Sequence, residues 1–342
     1  MILGKKNKFM VLFISIVIMS LTLVACGGGN NASNTNTSNT NTSNTSGANT
    51  AEEAPTVTET PAVGTERTLT DPLGHEVKIP ANPERIIASY LEDYLVTLGV
   101  KPAAQWSVAN GIQDYLQNEL TGIPTIPSDL PYEVVASHNP DLIILGGSSM
   151  VEGDKYAQYA KIAPTYVLGD EINNDWRQAL LKIGEVLDKS EEAQKALDDY
   201  NAKAADAKAK IQGVTGGTKS AAAIWLVGNQ FFVVSEKLSS GSVLYEDLGV
   251  AVPETVKKLS DSEWSWNAIS QEEIAQMDAD YIFLINSDKA DGSKALQDAV
   301  WKSIPAVVNG NVFEFEKSSS WLYYGATANS QTIDNIVNSL VN

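Results

Sequence analysis

Two segments of this chain, 139 positions apart, share one pattern, and this internal repeat constrains the fold more than any other feature. The first segment, 133–145, reads EVVASHNPDLIIL, and the second, 272–284, reads EEIAQMDADYIFL. Both place an alanine three positions after the glutamate and an aspartate eight positions after it, and both end in an apolar run. Each copy therefore predicts a short helix, a tight turn and a buried parallel strand.

Further short apolar runs flank both copies and predict additional strands. These runs cover residues 85–89, 165–168, 221–227, 231–234 and 311–315. Strands that alternate with helical stretches favour parallel α/β sheets, and the repeat indicates that there are two of them. We therefore predict two Rossmann-like α/β lobes, over residues 64–172 and 214–342, with a ligand cleft between them.

A helical region over residues 173–213 separates the predicted lobes. Residues 174–188 predict one amphipathic helix and residues 190–212 a second, with Ser190 as its cap and Gly213 as its end. One face of the second helix carries Leu197, Tyr200, Ala204 and Ile211. At 1.5 Å per residue this helix is about 33 Å long, enough to bridge two lobes. Its position midway between the repeats favours a rigid bridge over an ordinary surface helix.

The N-terminus has the features of a lipoprotein signal. Lysines at positions 5, 6 and 8 precede an apolar run that ends in LVACG, and Cys26 is the single cysteine of the chain. This pattern predicts a signal peptide over residues 1–25 and a lipid, diacylglycerol with palmitate-type chains, on Cys26. Residues 26–63 are rich in Asn, Thr and Ser and predict a disordered tether with a reach on the order of 30 Å.

Charge and motifs exclude several classes of function. The formal net charge is −18, which disfavours nucleic acid as a partner. His75 and His138 are the only histidines, so a multi-histidine metal cage is poorly supported. The common hydrolase and nucleotide-binding motifs are absent, which favours a binding protein over an enzyme.

From Thr65 to the C-terminus the chain resembles the iron-siderophore-binding lipoproteins of ABC transporters, a helix-bridged class with ferrichrome- and ferrioxamine-binding members. The resemblance rests on several short matches that occur in the family's order. Each match is weak alone, but together they are specific. They are TDPLGHEVKIP at 70–80, PERI at 83–86, the first repeat at 133–143, KIAPT at 161–165, ISQE at 269–272 and WKSIPAV at 301–307.

The resemblance implies how such a protein meets its transporter. In this family one glutamate on each lobe contacts arginines of the permease, and the motif places these at Glu133 and Glu272, with Glu273 as a nearby rival. The alternative is that each glutamate only caps or charges the start of its helix. The implied partners are a homo- or heterodimeric permease with its ATPase. The implied protein is a lipid-anchored monomer on the outer face of a cell membrane, most consistent with a Gram-positive cell.

Aromatic residues at predicted loop positions are candidates for the ligand site, although core packing explains any one of them equally well. The candidates are Tyr90, Trp106, Trp225, Trp264, Trp266, Trp321 and Tyr323. Trp264, Trp266, Trp321 and Tyr323 stand among Ser, Asn and Gly, so exposure is predicted for these four.

Arginine content favours one class of siderophore. Binders of anionic catecholate complexes usually offer clustered Arg and Lys, whereas this chain has Arg67, Arg85 and Arg177 and no arginine afterwards. A ferric hydroxamate is therefore the predicted ligand, with the iron held by the siderophore and no cofactor other than the lipid. Related hydroxamate binders often carry an arginine in the C-lobe pocket, a position for which Lys237 is the candidate here. Binding of a catecholate, haem or a corrinoid, and a surface enzyme or adhesin, are the alternatives.

Overall fold

Strands and helices alternate along the chain in this computed structural model, which describes residues 65–109, 111–259, 262 and 264–341. The strands are β1 (Arg67–Thr70), β2 (Glu76–Ile79), β3 (Ile86–Ile87), β4 (Gln105–Ser107), β5 (Thr125–Pro127), β6 (Leu142–Leu145), β7 (Thr165–Val167), β8 (Ala221–Val227), β9 (Gln230–Val234), β10 (Trp266–Ile269), β11 (Tyr281–Asn286) and β12 (Val312–Glu316). The helices are α1 (Glu92–Thr97), α2 (Gln117–Leu120), α3 (Tyr132–Ser137), α4 (Lys155–Ala160), α5 (Gly169–Asn173), α6 (Trp176–Val186), α7 (Ser190–Thr215), α8 (Glu254–Lys257), α9 (Gln271–Ile274), α10 (Ala299–Ser303), α11 (Pro305–Val308) and α12 (Ala326–Leu340). The predicted signal peptide, Cys26 and the tether lie outside the described residues.

Both copies of the repeat fold as predicted, each into a helix, a turn and a buried strand. The first copy forms α3 and β6, and the second forms α9 and β11. β6 pairs in parallel with β3, the first strand of the N-lobe sheet, and β11 pairs in parallel with β8, the first strand of the C-lobe sheet. The two predicted α/β lobes are thereby confirmed.

The central sheet of the N-lobe is parallel, whereas β1 and β2 form a separate antiparallel pair. The strands of the central sheet have the order β3-β6-β7, and β4 pairs with β5 beside them. A parallel bridge between Ile87 and Ala104 joins the two groups. Successive residues of β6 face opposite sides, so that Leu142 and Ile144 join the large core and Ile143 and Leu145 join a second core on the other face.

The C-lobe sheet has the order β10-β9-β8-β11-β12 and is mixed rather than parallel, so the prediction of a purely parallel sheet is wrong here. β9 and β10 run antiparallel to their neighbours. The reason is the two-residue turn between β8 and β9, in which Gly228 has a φ of 58° and Asn229 a φ of 60°. Two positive φ values of this kind close a tight antiparallel hairpin.

The predicted bridge is a single helix, α7, which spans 26 residues or about 39 Å. Its buried face comprises Ala193, Tyr200, Ala204, Ala207 and Ile211. Two details of the prediction are wrong. The cap position is Lys189, with Ser190 already helical, and the helix continues through Gly213 to Thr215. It ends there because Gly216 takes the left-handed conformation, with a φ of 65°, which ends a helix at little cost to glycine.

The last helix, α12, lies at the end of the predicted C-lobe segment, 214–342, but packs against the bridge and the N-lobe. Its neighbours include α7, α1 and α6. The segment that leads into α12 therefore lies at the junction of the lobes, where the ligand cleft is predicted.

Candidate functional site

Five aromatic side chains gather where the ends of β3 and β4 meet the segment before α12. We call Tyr90, Trp106, Tyr115, Tyr323 and Tyr324 the aromatic platform. The ring of Tyr90 lies 5.0 Å from Trp106, 6.2 Å from Tyr323 and 6.3 Å from Tyr324, centroid to centroid. The rings of Tyr115 and Tyr323 are 4.9 Å apart. The fold thus brings together three of the predicted ligand residues from opposite ends of the chain.

The backbone at Tyr90 has an unusual conformation. Its φ is 65°, a left-handed value that is rare for a residue with a bulky side chain. The turn is closed by a hydrogen bond of 2.9 Å from the N–H of Leu91 to the carbonyl of Ala88. Both flanking residues are buried while 37% of Tyr90 is exposed. Backbone strain of this kind concentrates at ligand sites, and here it leaves an aromatic ring partly exposed at the end of a strand.

Two consecutive buried acids lie beneath the platform, at the start of α1. An oxygen of Glu92 accepts a hydrogen bond of 2.6 Å from the backbone N–H of Trp106, and its other oxygen has no hydrogen-bond partner among the described residues. Burial raises the pKa of Glu92 from its ordinary 4.5 to about 8, so this side chain is mostly protonated at neutral pH. Burial also raises the pKa of Asp93, to about 6, against the opposing effect of several hydrogen bonds to its carboxylate.

Two of the predicted tryptophans form a separate group on the C-lobe sheet. Trp225 on β8 lies 6.1 Å from Trp266 on β10 and 5.4 Å from Phe232 on β9. The indole N–H of Trp225 donates to the hydroxyl of Ser287 at 2.8 Å, whereas the buried indole N–H of Trp266 has no acceptor among the described residues. Both rings are half-buried, so Trp266 is less exposed than its polar neighbours suggest.

The remaining two tryptophans differ completely in exposure. Trp264 is 76% exposed, as predicted. The prediction for Trp321 is wrong, because its side chain is fully buried. Its ring stacks on Phe283 at 4.9 Å and lies 5.2 Å from Phe315, so it packs in the C-lobe core. A ligand in the cleft cannot contact a ring in that position.

A cavity of about 430 Å³ lies beside the platform, between the start of α6 and the C-lobe. Its lining includes Trp176 and Arg177 on one side and Lys237, Ser265 and Tyr324 on the other. This volume is typical of a small-molecule site. Tyr324 links the cavity to the aromatic platform, and Ser265 directly precedes Trp266.

The guanidinium of Arg177 is held in place at the edge of this cavity. It pairs with the carboxylate of Asp247 and lies 4.6 Å from the ring of Trp176 and 5.6 Å from that of Tyr200. The hydroxyl of Tyr200, on the bridge α7, donates to Asp247 at 2.6 Å. Asp247 therefore compensates the charge of Arg177 and ties the bridge to both sides of the cavity.

The cavity is close to neutral. Asp175 and Glu246 contribute carboxylates to its lining, together with the cations Arg177 and Lys237. The indole N–H of Trp176 is buried and has no acceptor among the described residues. An uncharged ligand suits a lining with this balance of charges.

Sequence reasoning missed Tyr115, Trp176 and Asp247 as site residues. One available signal was Asp175, whose carboxylate caps α6 by accepting from the N–H of Arg177 at 3.0 Å. Such a cap, directly after the predicted end of the N-lobe, marks a chain turn at the hinge. Tyr115 and Asp247 give no comparable local signal, because their partners are distant in sequence.

The two glutamates that head the repeats are both exposed. Glu133 lies in the first turn of α3 and Glu272 in the first turn of α9. The rival Glu273 already has a hydrogen-bond partner. Its carboxylate accepts a hydrogen bond of 2.8 Å from the backbone N–H of Ser270, and the hydroxyl of Ser270 accepts one of 3.2 Å from the backbone N–H of Glu273. This capping box leaves Glu272 as the uncommitted acid of the pair.

Within the described residues, no group of three or more His, Cys, Asp or Glu side chains is placed to hold a metal ion. None of the helices in that part of the chain is long and apolar enough to cross a membrane.

Two α/β lobes joined by one long helix, with a ligand-sized cavity and an aromatic platform at their junction, define a binding protein of the helix-bridged class. The chain belongs to the periplasmic binding protein family, whose model matches residues 89–318. The prediction of a binding protein rather than an enzyme is confirmed by this membership.

The iron(3+)-hydroxamate-binding protein YxeB of Bacillus subtilis is 27% identical over 286 residues, which cover 80% of this chain and 85% of the relative. The iron(3+)-hydroxamate-binding protein FhuD of the same organism is 29% identical and covers 70% of this chain and 76% of its own length. Among solved structures, a FhuD-fold component of a Fep/Fec-like ferrichrome transporter from Bacillus subtilis is similar, with a TM-score of 0.69 and 25% identity over 80% of this chain and 100% of that one. The resemblance to siderophore-binding proteins and the predicted fold are both confirmed.

Proposed function

We propose that this protein is the extracellular solute-binding component of an ABC importer and that it captures a ferric hydroxamate siderophore. The observation that carries the proposal is the aromatic platform beside a cavity of about 430 Å³ at the junction of the lobes. Flat apolar rings with polar edges suit a chelate whose surface is greasy but studded with carbonyl oxygens. The names of the relatives YxeB and FhuD support the same ligand class.

The balance of charge in the cavity supports a hydroxamate over a catecholate. A ferric catecholate complex is strongly anionic and needs uncompensated cations. Here Asp247 pairs with Arg177, and Lys237 faces a lining that also holds Asp175 and Glu246. A neutral or weakly cationic complex avoids the cost of bringing several negative charges into this site.

A donor at the cavity supports the same conclusion. Lys237 is the exposed C-lobe cation of the cavity lining, and we assign it as the donor to a hydroxamate carbonyl oxygen.

We propose that Glu133 and Glu272 dock the protein on the two permease subunits. Both are exposed, and neither carboxylate makes a hydrogen bond or ion pair with the described residues. An anionic contact on each lobe suits a transporter with two subunits, because Arg-carboxylate pairs give direction to docking. A lipid on Cys26 and a tether over 26–63 would keep the monomeric protein near its permease at the membrane surface.

Tryptophan fluorescence tests the ligand class directly. The mature protein is titrated in parallel with ferrichrome, ferrioxamine, ferric enterobactin, ferric citrate, haem and cobalamin. We expect saturable quenching by a hydroxamate at submicromolar concentration, the affinity range of about −8 kcal/mol or better. Quenching by ferric enterobactin, haem or cobalamin without a response to either hydroxamate would overturn the proposal.

A further inference from the structure

The buried carboxylate of Asp93 links the N-lobe to the start of α12, a helix that is far away in the sequence. Asp93 lies in the first turn of α1 in the N-lobe and is 1% exposed. Its oxygens accept hydrogen bonds from the backbone N–H groups of Thr327 at 3.1 Å and Ala328 at 2.9 Å, which are 234 and 235 positions away. Both donors belong to the first turn of α12.

Asp93 thus replaces the missing N-cap of α12. The residue at the cap position is Gly325, which has no side chain to accept from the helix. The first N–H groups of a helix need an acceptor from elsewhere, and a carboxylate is a strong one. The approach is so close that a Cβ added to Gly325 would lie 2.2 Å from a carboxylate oxygen of Asp93, and Gly325 has a φ of 138°. The close contact with Asp93 therefore requires glycine at position 325.

The contact is extended by further bonds between the same two parts of the chain. The hydroxyl of Tyr115 donates to Asp93 at 3.0 Å, and the ring of Tyr115 packs against Tyr323. The hydroxyl of Tyr323 donates to the carbonyl of Ile112 at 3.2 Å, and the hydroxyls of Thr97 and Thr327 are 3.0 Å apart. The segment 323–328 is therefore attached to the N-lobe, although in sequence it belongs to the predicted C-lobe.

Tyr323 and Tyr324 immediately precede Gly325, so whatever fixes the start of α12 also fixes these two rings. Their neighbour in the platform is Tyr90, which lies in the turn after the N-lobe strand β3. If the start of α12 were loose, both tyrosines would have to be ordered when the ligand binds. That ordering would reduce affinity, because a preformed site avoids its entropic cost.

We propose that Asp93 is a positioning residue for the ligand: it anchors the start of α12 to the N-lobe and thereby holds Tyr323 and Tyr324 beside Tyr90 in a preformed platform. The effect on affinity rests on the proposed function, whereas the anchoring does not. Asp93 itself contacts no ligand, since it is buried beneath the rings.

The test uses Asp93→Asn, which keeps the shape and one acceptor, and a matched control, Asp278→Asn. The carboxylate of Asp278 accepts from the backbone N–H groups of Glu254 at 2.8 Å and Thr255 at 3.1 Å, at the start of α8 in the C-lobe. The control therefore removes the same kind of long-range cap at a helix that does not carry the platform. Gly325→Ala disturbs the Asp93 contact from its other side and serves if Asp93→Asn does not fold.

Hydrogen exchange without ligand reports the anchoring. We expect Asp93→Asn to speed exchange of the amides of 323–330 at least about tenfold, the equivalent of one charge-assisted hydrogen bond, and Asp278→Asn to leave them unchanged. Unchanged exchange over 323–330 in Asp93→Asn would overturn the anchoring role. Hydrogen exchange tests the anchoring even if no ferric siderophore binds the wild-type protein. Such a failure to bind would contradict the proposed function and leave the anchoring role untouched.

Affinity for the hydroxamate that quenches the wild-type protein reports the positioning. We expect Asp93→Asn to weaken binding about tenfold and Asp278→Asn less than about twofold. In a protein that already carries Tyr323→Ala and Tyr324→Ala, adding Asp93→Asn should weaken binding of the hydroxamate by less than about twofold, because the rings that Asp93 positions are gone. Wild-type affinity in Asp93→Asn, or an equal loss in both backgrounds, would refute the positioning role.

Discussion

Asp280 accepts a hydrogen bond of 2.9 Å from the backbone N–H of Ser220, the residue that leads into the first strand of the C-lobe. Asp141 has the same relationship to Arg85 in the N-lobe, at 3.0 Å. In both lobes the aspartate of the repeat thus fixes the turn before its strand to the start of the neighbouring strand. Because Glu133 and Glu272 each precede this aspartate by eight positions, they occupy equivalent places in the two lobes.

That equivalence underlies our first prediction, which concerns transport. The double variant Glu133→Ala with Glu272→Ala should keep wild-type affinity for the siderophore, because both side chains are exposed on repeat helices away from the platform. Uptake of the iron-loaded siderophore by cells should fall by at least about tenfold, since desolvated charge contacts typically contribute 2 kcal/mol or more.

Glu273→Ala is the matched control for transport. It removes a carboxylate from the same turn of α9 but one that caps the helix by accepting from Ser270. We expect reduced thermal stability of that helix and nearly normal uptake. Loss of siderophore affinity in the double variant would move the two glutamates into the ligand site and contradict the docking role.

Our second prediction concerns the platform. Tyr90→Ala and Trp106→Ala should each weaken binding of the hydroxamate by about 2 kcal/mol, or roughly thirtyfold, as expected for an aromatic anchor at a binding site. Trp264→Ala removes a ring that is 76% exposed and should change affinity less than about twofold. Isothermal titration calorimetry avoids relying on the tryptophan signal that two of these variants alter. A larger loss for Trp264 than for Tyr90 would place the ligand elsewhere.

The third prediction concerns selectivity. Asp247→Asn removes the counter-charge of Arg177 and leaves a cation at the edge of the cavity. The ratio of affinities, ferric enterobactin over ferrichrome, should rise about fivefold, which corresponds to about 1 kcal/mol of charge interaction in a partly solvated site. Asp199→Asn deletes the same charge from an exposed pair on α7 and should leave the ratio unchanged. An unchanged ratio in Asp247→Asn would show that Arg177 does not set the charge of the site.

The fourth prediction concerns pH. The pKa of Glu92 is raised to about 8 in the folded protein, so between its ordinary pKa of 4.5 and pH 8 the unfolded chain loses the proton that the folded protein keeps. The contribution of Glu92 to stability is therefore complete below about pH 4.5 and is lost as the pH rises through about 8. The slope is at most about 1.4 kcal/mol per pH unit.

Urea unfolding of the wild type and Glu92→Gln at pH 5, 6.5 and 8 isolates this effect from the other titrating groups. The glutamine variant cannot ionise, so its stability relative to the wild type should improve steadily across the series. A constant difference would mean that Glu92 keeps its ordinary pKa despite its burial.

Local sequence patterns were sufficient for much of the architecture. The repeat predicted the buried strands β6 and β11 and the helices that precede them, and the spacing of Tyr200, Ala204 and Ile211 predicted the buried face of the bridge. The antiparallel hairpin also has a local signal, because Gly228 and Asn229 form a two-residue turn of the type that joins antiparallel strands.

The site was less predictable because its contacts join distant parts of the chain. Polar neighbours suggested that Trp321 is exposed, yet Phe283 and Phe315 cover it from two strands of the same sheet. Similarly, nothing near Asp93 indicates that it caps a helix 235 positions away. Local composition reports on the backbone around a residue, whereas burial and pairing depend on tertiary packing.

The position of the iron atom tests the central claim most directly. A crystal of the protein with the hydroxamate that binds best, measured at the iron absorption edge, locates the metal without any assumption about the pose of the chelator. We predict one iron site between the aromatic platform and the C-lobe side of the cavity, with the chelate against Tyr90 and Tyr324. An iron site outside this cleft, or a chelate that touches neither ring, would contradict the account.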